Sequence, residues 1–277
     1  MTRLFVNGVS LNVELAGSGP PLVLLHGFTG SVATWDSLLP AYTDRFTVIS
    51  VDILGHGESE SPAEAQRYGM DYAGADLIAI FDHLKLDRVH LLGYSMGGRL
   101  ALHVAIRHAE RIASVILESA SPGIILPELR EARIYDDEAL AQRIEREGIA
   151  AFVDHWEKLP LFATQSSLPE SVRAGLRSQR LRNNPTGLAN SLRGLGTGAQ
   201  FPLWWHLDNL ACPTLLIAGA LDNKFTVTAK AMFKKMPTEV VPVHLAIVPE
   251  AGHAVHLEQP EFFNRLVLEF LDEHGKM

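Results

Sequence analysis

The segment from residue 89 to residue 103 constrains the fold more than any other part of this chain. It reads Val-His-Leu-Leu-Gly-Tyr-Ser-Met-Gly-Gly-Arg-Leu-Ala-Leu-His, which predicts a buried strand, a Gly-x-Ser-x-Gly turn and then a helix. Gly93 and Gly97 lack side chains because a turn this tight has no room for a Cβ atom. The turn lifts the hydroxyl of Ser95 clear of the sheet, and the start of the helix favours a negative charge beside it. Ser95 is therefore the first candidate for a catalytic residue.

Short apolar runs recur along the chain and predict a sheet. Strands are predicted at residues 9–15, 21–25, 46–51, 89–92, 114–118, 214–218 and 243–248. Amphipathic stretches between several of them, such as residues 72–84 and 98–108, predict helices. Strands that alternate with helices indicate an α/β fold with a mostly parallel sheet that is covered by helices on both faces.

The alternation of strands and helices is interrupted between residues 122 and 207. Charged helical segments, among them residues 136–148 and 169–183, follow one another there without an obvious strand. The stretch is too long to be a loop. We therefore expect a single domain over residues 1–277, with a core formed by residues 1–121 and 208–277 and a helical lid inserted at about residues 122–207.

Charge and composition restrict the function. The net charge of −8 argues against a nucleic-acid-binding protein, which normally carries a basic surface. Cys212 is the only cysteine, so no internal disulfide and no paired-thiol metal site are available. The sequence contains neither a signal-peptide pattern nor an apolar run long enough to cross a bilayer. We expect a cytoplasmic protein without a membrane, metal, cofactor or nucleic-acid partner; a monomer is compatible with the sequence, which does not fix the oligomeric state.

A serine hydroxyl is a weak nucleophile and a weak base at neutral pH, so it needs a histidine and an orienting carboxylate. Where the serine lies in a Gly-x-Ser-x-Gly turn between a strand and a helix, the acid follows it in the sequence and the histidine comes last. Asp222 follows the predicted strand at 214–218, and His253 lies in a loop just after the strand at 243–248. We predict that these two residues and Ser95 form a catalytic triad.

Other residues could take these places. His256, three residues after His253, is the only serious alternative base, although it is expected to begin the following helix. Asp208 and Glu118 are the alternative acids. Asp208 precedes its strand, and Glu118 would require the acid to lie after an earlier strand than usual.

The glycine-rich turn at residues 24–30, Leu-Leu-His-Gly-Phe-Thr-Gly, follows a predicted strand and can present backbone amides to the serine. We predict that the amides of Phe28 and Met96 form an oxyanion hole. His26 is expected to brace this loop rather than to transfer protons. A second turn, at residues 52–59, is interpreted as scaffold.

Together these features resemble the α/β-hydrolase superfamily over essentially the whole chain. Within that superfamily, five segments are similar to the 2-succinyl-6-hydroxy-2,4-cyclohexadiene-1-carboxylate synthases of menaquinone biosynthesis. They are Gly-Tyr-Ser-Met-Gly-Gly-Arg at 93–99, Leu-Glu-Ser-Ala-Ser-Pro-Gly at 117–123, Trp-Glu-Lys-Leu-Pro-Leu-Phe at 156–162, Leu-Arg-Asn-Asn-Pro-Thr-Gly at 181–187 and Asp-Asn-Lys-Phe at 222–225.

The resemblance implies a lyase that removes a proton from an enolpyruvyl cyclohexene and then eliminates pyruvate. Ser95 would be the base, His253 its relay and Asp222 the orienting acid. A substrate with several carboxylates needs local positive charge, which arginine supplies best. The resemblance implies the substrate-binding residues Tyr94, Arg99, Arg133, Trp156 and Arg182; Arg130 lies one turn from Arg133 and could replace it.

Two other functions remain open. A carboxylic-ester or carbon–carbon bond hydrolase of the same fold would use Ser95 as a covalent nucleophile. Such an enzyme, acting on neutral esters, would have little use for three arginines in its cavity. A non-catalytic binding protein would keep the pocket but lose the triad, whereas all three triad residues are present here.

Overall fold

The structure is a computed structural model that describes residues 2–274. Eight strands form one sheet in the order β1-β2-β4-β3-β5-β6-β7-β8. The first two pairings, β1 with β2 and β2 with β4, are antiparallel, and the others are parallel. The strands are β1 (Thr2–Val6), β2 (Val9–Ala16), β3 (Pro21–Leu25), β4 (Thr47–Val51), β5 (Val89–Tyr94), β6 (Ile112–Glu118), β7 (Thr214–Gly219) and β8 (Val243–Val248).

The apolar runs in the sequence correspond to the strands because the central strands are buried on both faces. Every residue of β5, β6 and β7 is buried. The sequence analysis did not predict β1, whose side chains are mostly exposed. Its pairing with β2 follows from Asn7 and Gly8, which adopt the positive φ angles of 48° and 82° that a two-residue hairpin loop requires.

Nine α-helices accompany the strands in the described part of the chain. They are α1 (Leu39–Tyr42), α2 (Met70–His83), α3 (Met96–Arg107), α4 (Pro127–Trp156), α5 (Glu170–Leu181), α6 (Pro185–Leu195), α7 (Asn223–Phe233), α8 (Val255–Glu258) and α9 (Pro260–His274). Two separate apolar clusters lie against the sheet, one including α2 and α3 and the other including α9. The α/β fold with a mostly parallel sheet that the sequence predicts is confirmed. No helix among residues 2–274 has the length and apolar character that crossing a membrane requires.

Between β6 and β7 the described chain contains helices and no strand. Three of them, α4, α5 and α6, make up most of this insertion, and α4 is interrupted at Gly148, where φ is 79°. The predicted lid boundary near residue 122 lies in the loop before α4, while the one near residue 207 falls within the short 3-10 helix Trp204–Asn209. The insertion has its own small apolar cluster, against which Phe28 of the core also packs.

Candidate active site

The Gly-x-Ser-x-Gly segment forms the tight turn that the sequence predicts. Ser95 joins β5 to α3 and has a φ of 52°, a conformation that non-glycine residues seldom adopt. A Cβ atom on Gly93 would lie 2.3 Å from the carbonyl oxygen of Gly97, and one on Gly97 would lie 2.3 Å from that of Leu25. The turn therefore depends on glycine at both positions.

Three loops at the carboxyl end of the sheet bring Ser95, His253 and Asp222 together. The Nε2 atom of His253 lies 3.0 Å from Ser95 Oγ, and its Nδ1 atom lies 2.7 Å from Asp222 Oδ2. The other carboxylate oxygen of Asp222 accepts a hydrogen bond from the backbone amide of Phe225 at 3.1 Å, which caps α7. Because Asp222 accepts the proton on Nδ1, Nε2 is left as an acceptor for the serine hydroxyl.

The alternative base and one alternative acid turn out to be partners of each other. His256 Nδ1 lies 2.8 Å from Glu118 Oε2, and both side chains are buried. Asp208 is exposed and does not line the cavity around Ser95. Of the acids considered, Asp222 is thus the one that contacts His253.

Phe28 and Met96 both line the cavity beside Ser95. Met96 is the first residue of α3, and amides in the first turn of a helix have no partner within it. His26 lies behind this turn, where its Nε2 accepts a hydrogen bond from the amide of Ile53 at 3.0 Å and its Nδ1 lies 2.8 Å from the carbonyl oxygen of Gly27. Burial lowers the pKa of His26 to about 4, so the ring is neutral at pH 7 and connects two loops, as expected for a brace.

The cavity has a volume of about 260 Å³ and extends from Ser95 toward the inserted helices. Four cationic side chains line it: Arg99, Arg133, Arg180 and Lys224. Fixed positive charge is therefore concentrated here, in a protein whose net charge is −8. Such a cavity is suited to a small ligand that carries more than one carboxylate.

Arg99 is held rigidly in the wall of the cavity. Its guanidinium donates hydrogen bonds to the backbone carbonyl of Leu195 at 2.6 Å and to Gln200 Oε1 at 2.9 Å. Burial, with the charge of Arg133 nearby, lowers the pKa of Arg99 to about 10, so it stays charged at pH 7. Arg133 forms an ion pair with Asp137 at 2.8 Å and reaches the cavity, whereas Arg130 does not line it.

Aromatic rings also line the cavity. Trp156 packs edge-on against Phe28, with ring centroids 5.2 Å apart, and also contacts Phe162 at 5.4 Å. The indole nitrogen of Trp156 is buried and has no hydrogen-bond partner among residues 2–274. Tyr94 lines the cavity next to His253, at a centroid distance of 5.4 Å. Both predicted aromatic contacts therefore lie at the cavity.

Comparisons with known proteins show which family the chain belongs to. A family profile described as the α/β-hydrolase fold matches residues 20–260. The chain is 45% identical over 261 residues to a Bacillus subtilis (strain 168) protein provisionally assigned as 2-succinyl-6-hydroxy-2,4-cyclohexadiene-1-carboxylate synthase, and the match covers 93% of each. The chain belongs to this synthase family.

Two further similarities agree with the assignment to the synthase family. The synthase of that name from Serratia proteamaculans (strain 568) is 30% identical over 257 residues, which cover 92% of this chain and 94% of the relative. The solved structure of MenH from S. aureus superposes with a TM-score of 0.89 at 37% identity, covering 96% of this chain and 99% of that one.

One predicted contact requires correction. Arg182 is exposed and does not line the cavity, whereas Arg180 is 5% exposed and does. The reason is helical geometry: α5 ends at Leu181, and two residues on a helix project about 200° apart, so Arg180 and Arg182 cannot share a face. The Leu-Arg-Asn-Asn motif thus lies at the end of α5, and Arg180, just before it, lines the cavity where Arg182 was expected.

Sequence reasoning also missed Lys224 and Gln179 as cavity residues. Lys224 lies within the Asp-Asn-Lys-Phe motif that carried the family resemblance, so its place two residues after Asp222 was a usable signal. Gln179 gave no such signal, because several polar residues of α5 look alike in the sequence. No metal was predicted; within residues 2–274, one group of side chains, His244, Glu273 and His274, is close enough to share an ion, and none of them lines the cavity.

Proposed function

We propose that this protein converts 2-succinyl-5-enolpyruvyl-6-hydroxy-3-cyclohexene-1-carboxylate into 2-succinyl-6-hydroxy-2,4-cyclohexadiene-1-carboxylate and pyruvate, in menaquinone biosynthesis. The observation that carries the proposal is one cavity that is lined by four cationic side chains and in which Ser95 and His253 lie within hydrogen-bond reach of each other. Membership of the synthase family supplies the identity of the reaction. The substrate is a small anion, and its carboxylates match the positive charge of the cavity.

The reaction begins with removal of a proton from the ring carbon that carries the succinyl group. Ser95 Oγ takes this proton while His253 Nε2 accepts the serine's own proton, and Asp222 stabilises the imidazolium that forms. The amides of Phe28 and Met96 stabilise the negative charge that develops on the succinyl carbonyl oxygen. These residues thus act as base, relay, orienting acid and oxyanion hole.

Elimination follows from the same electron pair. The electron pair left on C2 forms a double bond between C2 and C3. The existing double bond between C3 and C4 moves to C4 and C5, and the bond from C5 to the enolpyruvyl oxygen breaks. The released enolate takes up one proton to become pyruvate, which balances the proton removed at the start. No water is consumed and no acyl-enzyme forms.

Arg99, Arg133, Arg180 and Lys224 are proposed to bind the carboxylates of the substrate. The guanidinium of Arg99 is held by its hydrogen bonds to Leu195 and Gln200 before any ligand binds. Tyr94 and Trp156 are proposed to contact the ring or the succinyl chain. Charged and aromatic side chains of the same cavity are thus proposed to orient the substrate beside Ser95.

The proposal is tested by mixing the purified protein with the enolpyruvyl cyclohexene precursor and measuring pyruvate against precursor consumed. We expect one pyruvate per precursor, and we expect Ser95→Ala to slow release by at least about 100-fold, as loss of a general base does. A p-nitrophenyl ester serves as the control for hydrolase activity. Near-normal pyruvate release by Ser95→Ala would show that Ser95 is not the base, and rapid ester hydrolysis without pyruvate release would favour the hydrolase alternative.

A further inference from the structure

Glu118 contacts two separate parts of the active site. It is the last residue of β6 and is completely buried. Its backbone carbonyl accepts a hydrogen bond from the amide of Ser95 at 2.8 Å. Its carboxylate accepts hydrogen bonds from the backbone amide of His256 at 3.0 Å and from the Nδ1 atom of the same residue at 2.8 Å. One residue therefore connects the serine turn to the chain segment that follows His253.

The segment around His253 is anchored at both ends by carboxylates. On one side, Glu258 accepts a hydrogen bond from the amide of Gly252 at 2.8 Å. On the other side, Glu118 holds His256, which lies three residues after His253 in the first turn of α8. These two anchors leave the imidazole of His253 little freedom to move along the cavity floor.

Ring packing completes this arrangement. The ring of Tyr94 packs against both histidines, with its centroid 5.4 Å from that of His253 and 4.7 Å from that of His256. Trp35 packs against the other side of His256 at 5.1 Å. Movement of His256 would therefore displace the ring that supports His253.

A completely buried carboxylate is costly unless hydrogen bonds and an opposite charge compensate it, and an apolar side chain at the same place is often at least as stable. The triad itself does not use Glu118, since Asp222 is the acid that contacts His253. The cost of burying this carboxylate is therefore explained better by a contribution to function than by stability alone.

We propose that Glu118 is a positioning residue that sets the distance between Ser95 Oγ and His253 Nε2, acting through His256. The inference rests on the proposed function, because it assigns Glu118 to the pair of groups that removes the substrate's proton. The backbone of Glu118 fixes the serine turn and its side chain fixes the histidine loop. The end of β6 thus keeps the serine hydroxyl and the histidine ring at a fixed distance from each other.

The test measures the reactivity of Ser95 without the substrate. A fluorophosphonate probe labels a serine that a histidine activates, so its labelling rate reports the alignment of Ser95 with His253 whatever the natural substrate is. The matched pair of variants is His256→Asn and His256→Ala. Asparagine keeps a nitrogen donor at the place of Nδ1, whereas alanine removes it.

We expect His256→Ala to lower both the labelling rate and kcat for pyruvate release by about tenfold or more, because a small displacement of reacting groups has effects of this size. The KM should stay within about twofold, since the change affects the proton transfer more than binding. His256→Asn should recover most of both losses. Glu118→Ala should resemble His256→Ala, and the double variant should be little worse than either single variant, because both remove the same connection.

Asp76→Asn is the control for the loss of a buried carboxylate. Asp76 is buried and paired with Arg67 at 2.7 Å, outside the cavity. The Asp76→Asn substitution should lower the thermal unfolding temperature without changing the labelling rate of Ser95. All rates are measured below the unfolding transition of the least stable variant, so that loss of fold is not mistaken for loss of alignment.

Wild-type labelling rates in His256→Ala and Glu118→Ala would overturn the inference. It would also be overturned if His256→Asn labelled normally but released pyruvate as slowly as His256→Ala, since the imidazole would then act on the substrate directly. If the wild-type protein does not release pyruvate while the variants label in the expected order, the proposed function fails and the positioning role of Glu118 stands.

Discussion

Arg180 and Glu157 form an ion pair with a nitrogen–oxygen distance of 3.2 Å at the edge of the active-site cavity. The same carboxylate also pairs with Arg177 at 2.8 Å. Arg180 donates a further hydrogen bond to Gln165 and lies over the ring of Phe162. Its guanidinium is therefore fixed in place before a ligand arrives, although burial lowers its pKa and makes the charge costly to keep there.

Replacing Arg180 by alanine should lower kcat/KM for pyruvate release by about tenfold or more, since a hydrogen bond to a charged group contributes about 1.5–3 kcal/mol. Glu157 keeps Arg177 as a partner, so the fold should change little. Arg182→Ala is the matched control, because Arg182 is exposed and does not line the cavity. Steady-state kinetics of both variants show which arginine matters for the reaction. A larger loss of kcat/KM in Arg182→Ala than in Arg180→Ala would contradict the assignment of Arg180.

Asp222→Asn should lower kcat by at least about 100-fold while the thermal unfolding temperature stays close to that of the wild type. The asparagine oxygen can still accept the hydrogen bond from Phe225 that caps α7. Its amide nitrogen, however, would face Nδ1 of His253 and favour the tautomer with a proton on Nε2, which cannot accept the proton of Ser95. Asp208→Asn, a change at an exposed acid outside the cavity, is the control, and equal losses in the two variants would refute this role for Asp222.

Gly97→Ala should destabilise the protein by at least about 2 kcal/mol and abolish activity, because overpacking a well-packed region has a cost of this order. The new Cβ atom would lie 2.3 Å from the carbonyl oxygen of Leu25 and 2.5 Å from that of His26, and neither backbone atom can move without shifting the adjacent loop. Gly175→Ala is the matched control: Gly175 lies inside α5 with no atom near its Cβ position, so this change should stabilise the helix by about 0.5–1 kcal/mol. Urea denaturation of both variants measures the difference, and a neutral Gly97→Ala would contradict the geometry of the turn.

The stability of the protein should fall as the pH is lowered from about 6.5 to about 4, and His26 should contribute to the loss. Burial lowers the pKa of His26 from 6.5 to about 4, so over this range the unfolded chain binds a proton that the folded protein does not. The contribution of neutral His26 to the free energy of unfolding is fully present above pH 6.5. As the pH falls toward 4, this contribution decreases progressively by about 3 kcal/mol. Burial also lowers the pKa of His56, to about 3, and this adds a loss of the same sign.

The measurement is the free energy of unfolding in urea at several pH values between 7 and 4. His26→Asn should be less stable at pH 7 but should show a shallower dependence on pH than the wild type, because it lacks the titrating group. His83→Asn, at an exposed histidine, should leave the dependence unchanged. An unaltered slope in His26→Asn would show that His26 does not titrate in this way.

Local patterns predicted the sheet and the serine turn correctly because both depend on short-range chemistry. The apolar runs predicted at 21–25 and 243–248 have the same bounds as β3 and β8 in the structure. Gly93 and Gly97, each separated from Ser95 by one residue, identified the turn, since backbone atoms exclude a Cβ atom at each. Strand β1 was not predicted because its apolar segment is only three residues long, and the apolar Phe5 lies on the exposed face between the buried Leu4 and Val6, which hides the alternation typical of a half-buried strand.

The sequence by itself determined the fold class and predicted the triad of Ser95, His253 and Asp222, since motif spacing and strand order indicate which strand ends lie together. Five segments similar to the synthases indicated the family. Tertiary structure alone decided which arginine reaches the cavity, because Arg180 and Arg182 differ only in the direction in which the end of α5 projects them. It also decided that Glu118 and His256, each a rival for a triad position, are partners of each other. Such pairings depend on contacts between residues more than 100 positions apart, and no local pattern in the chain encodes them.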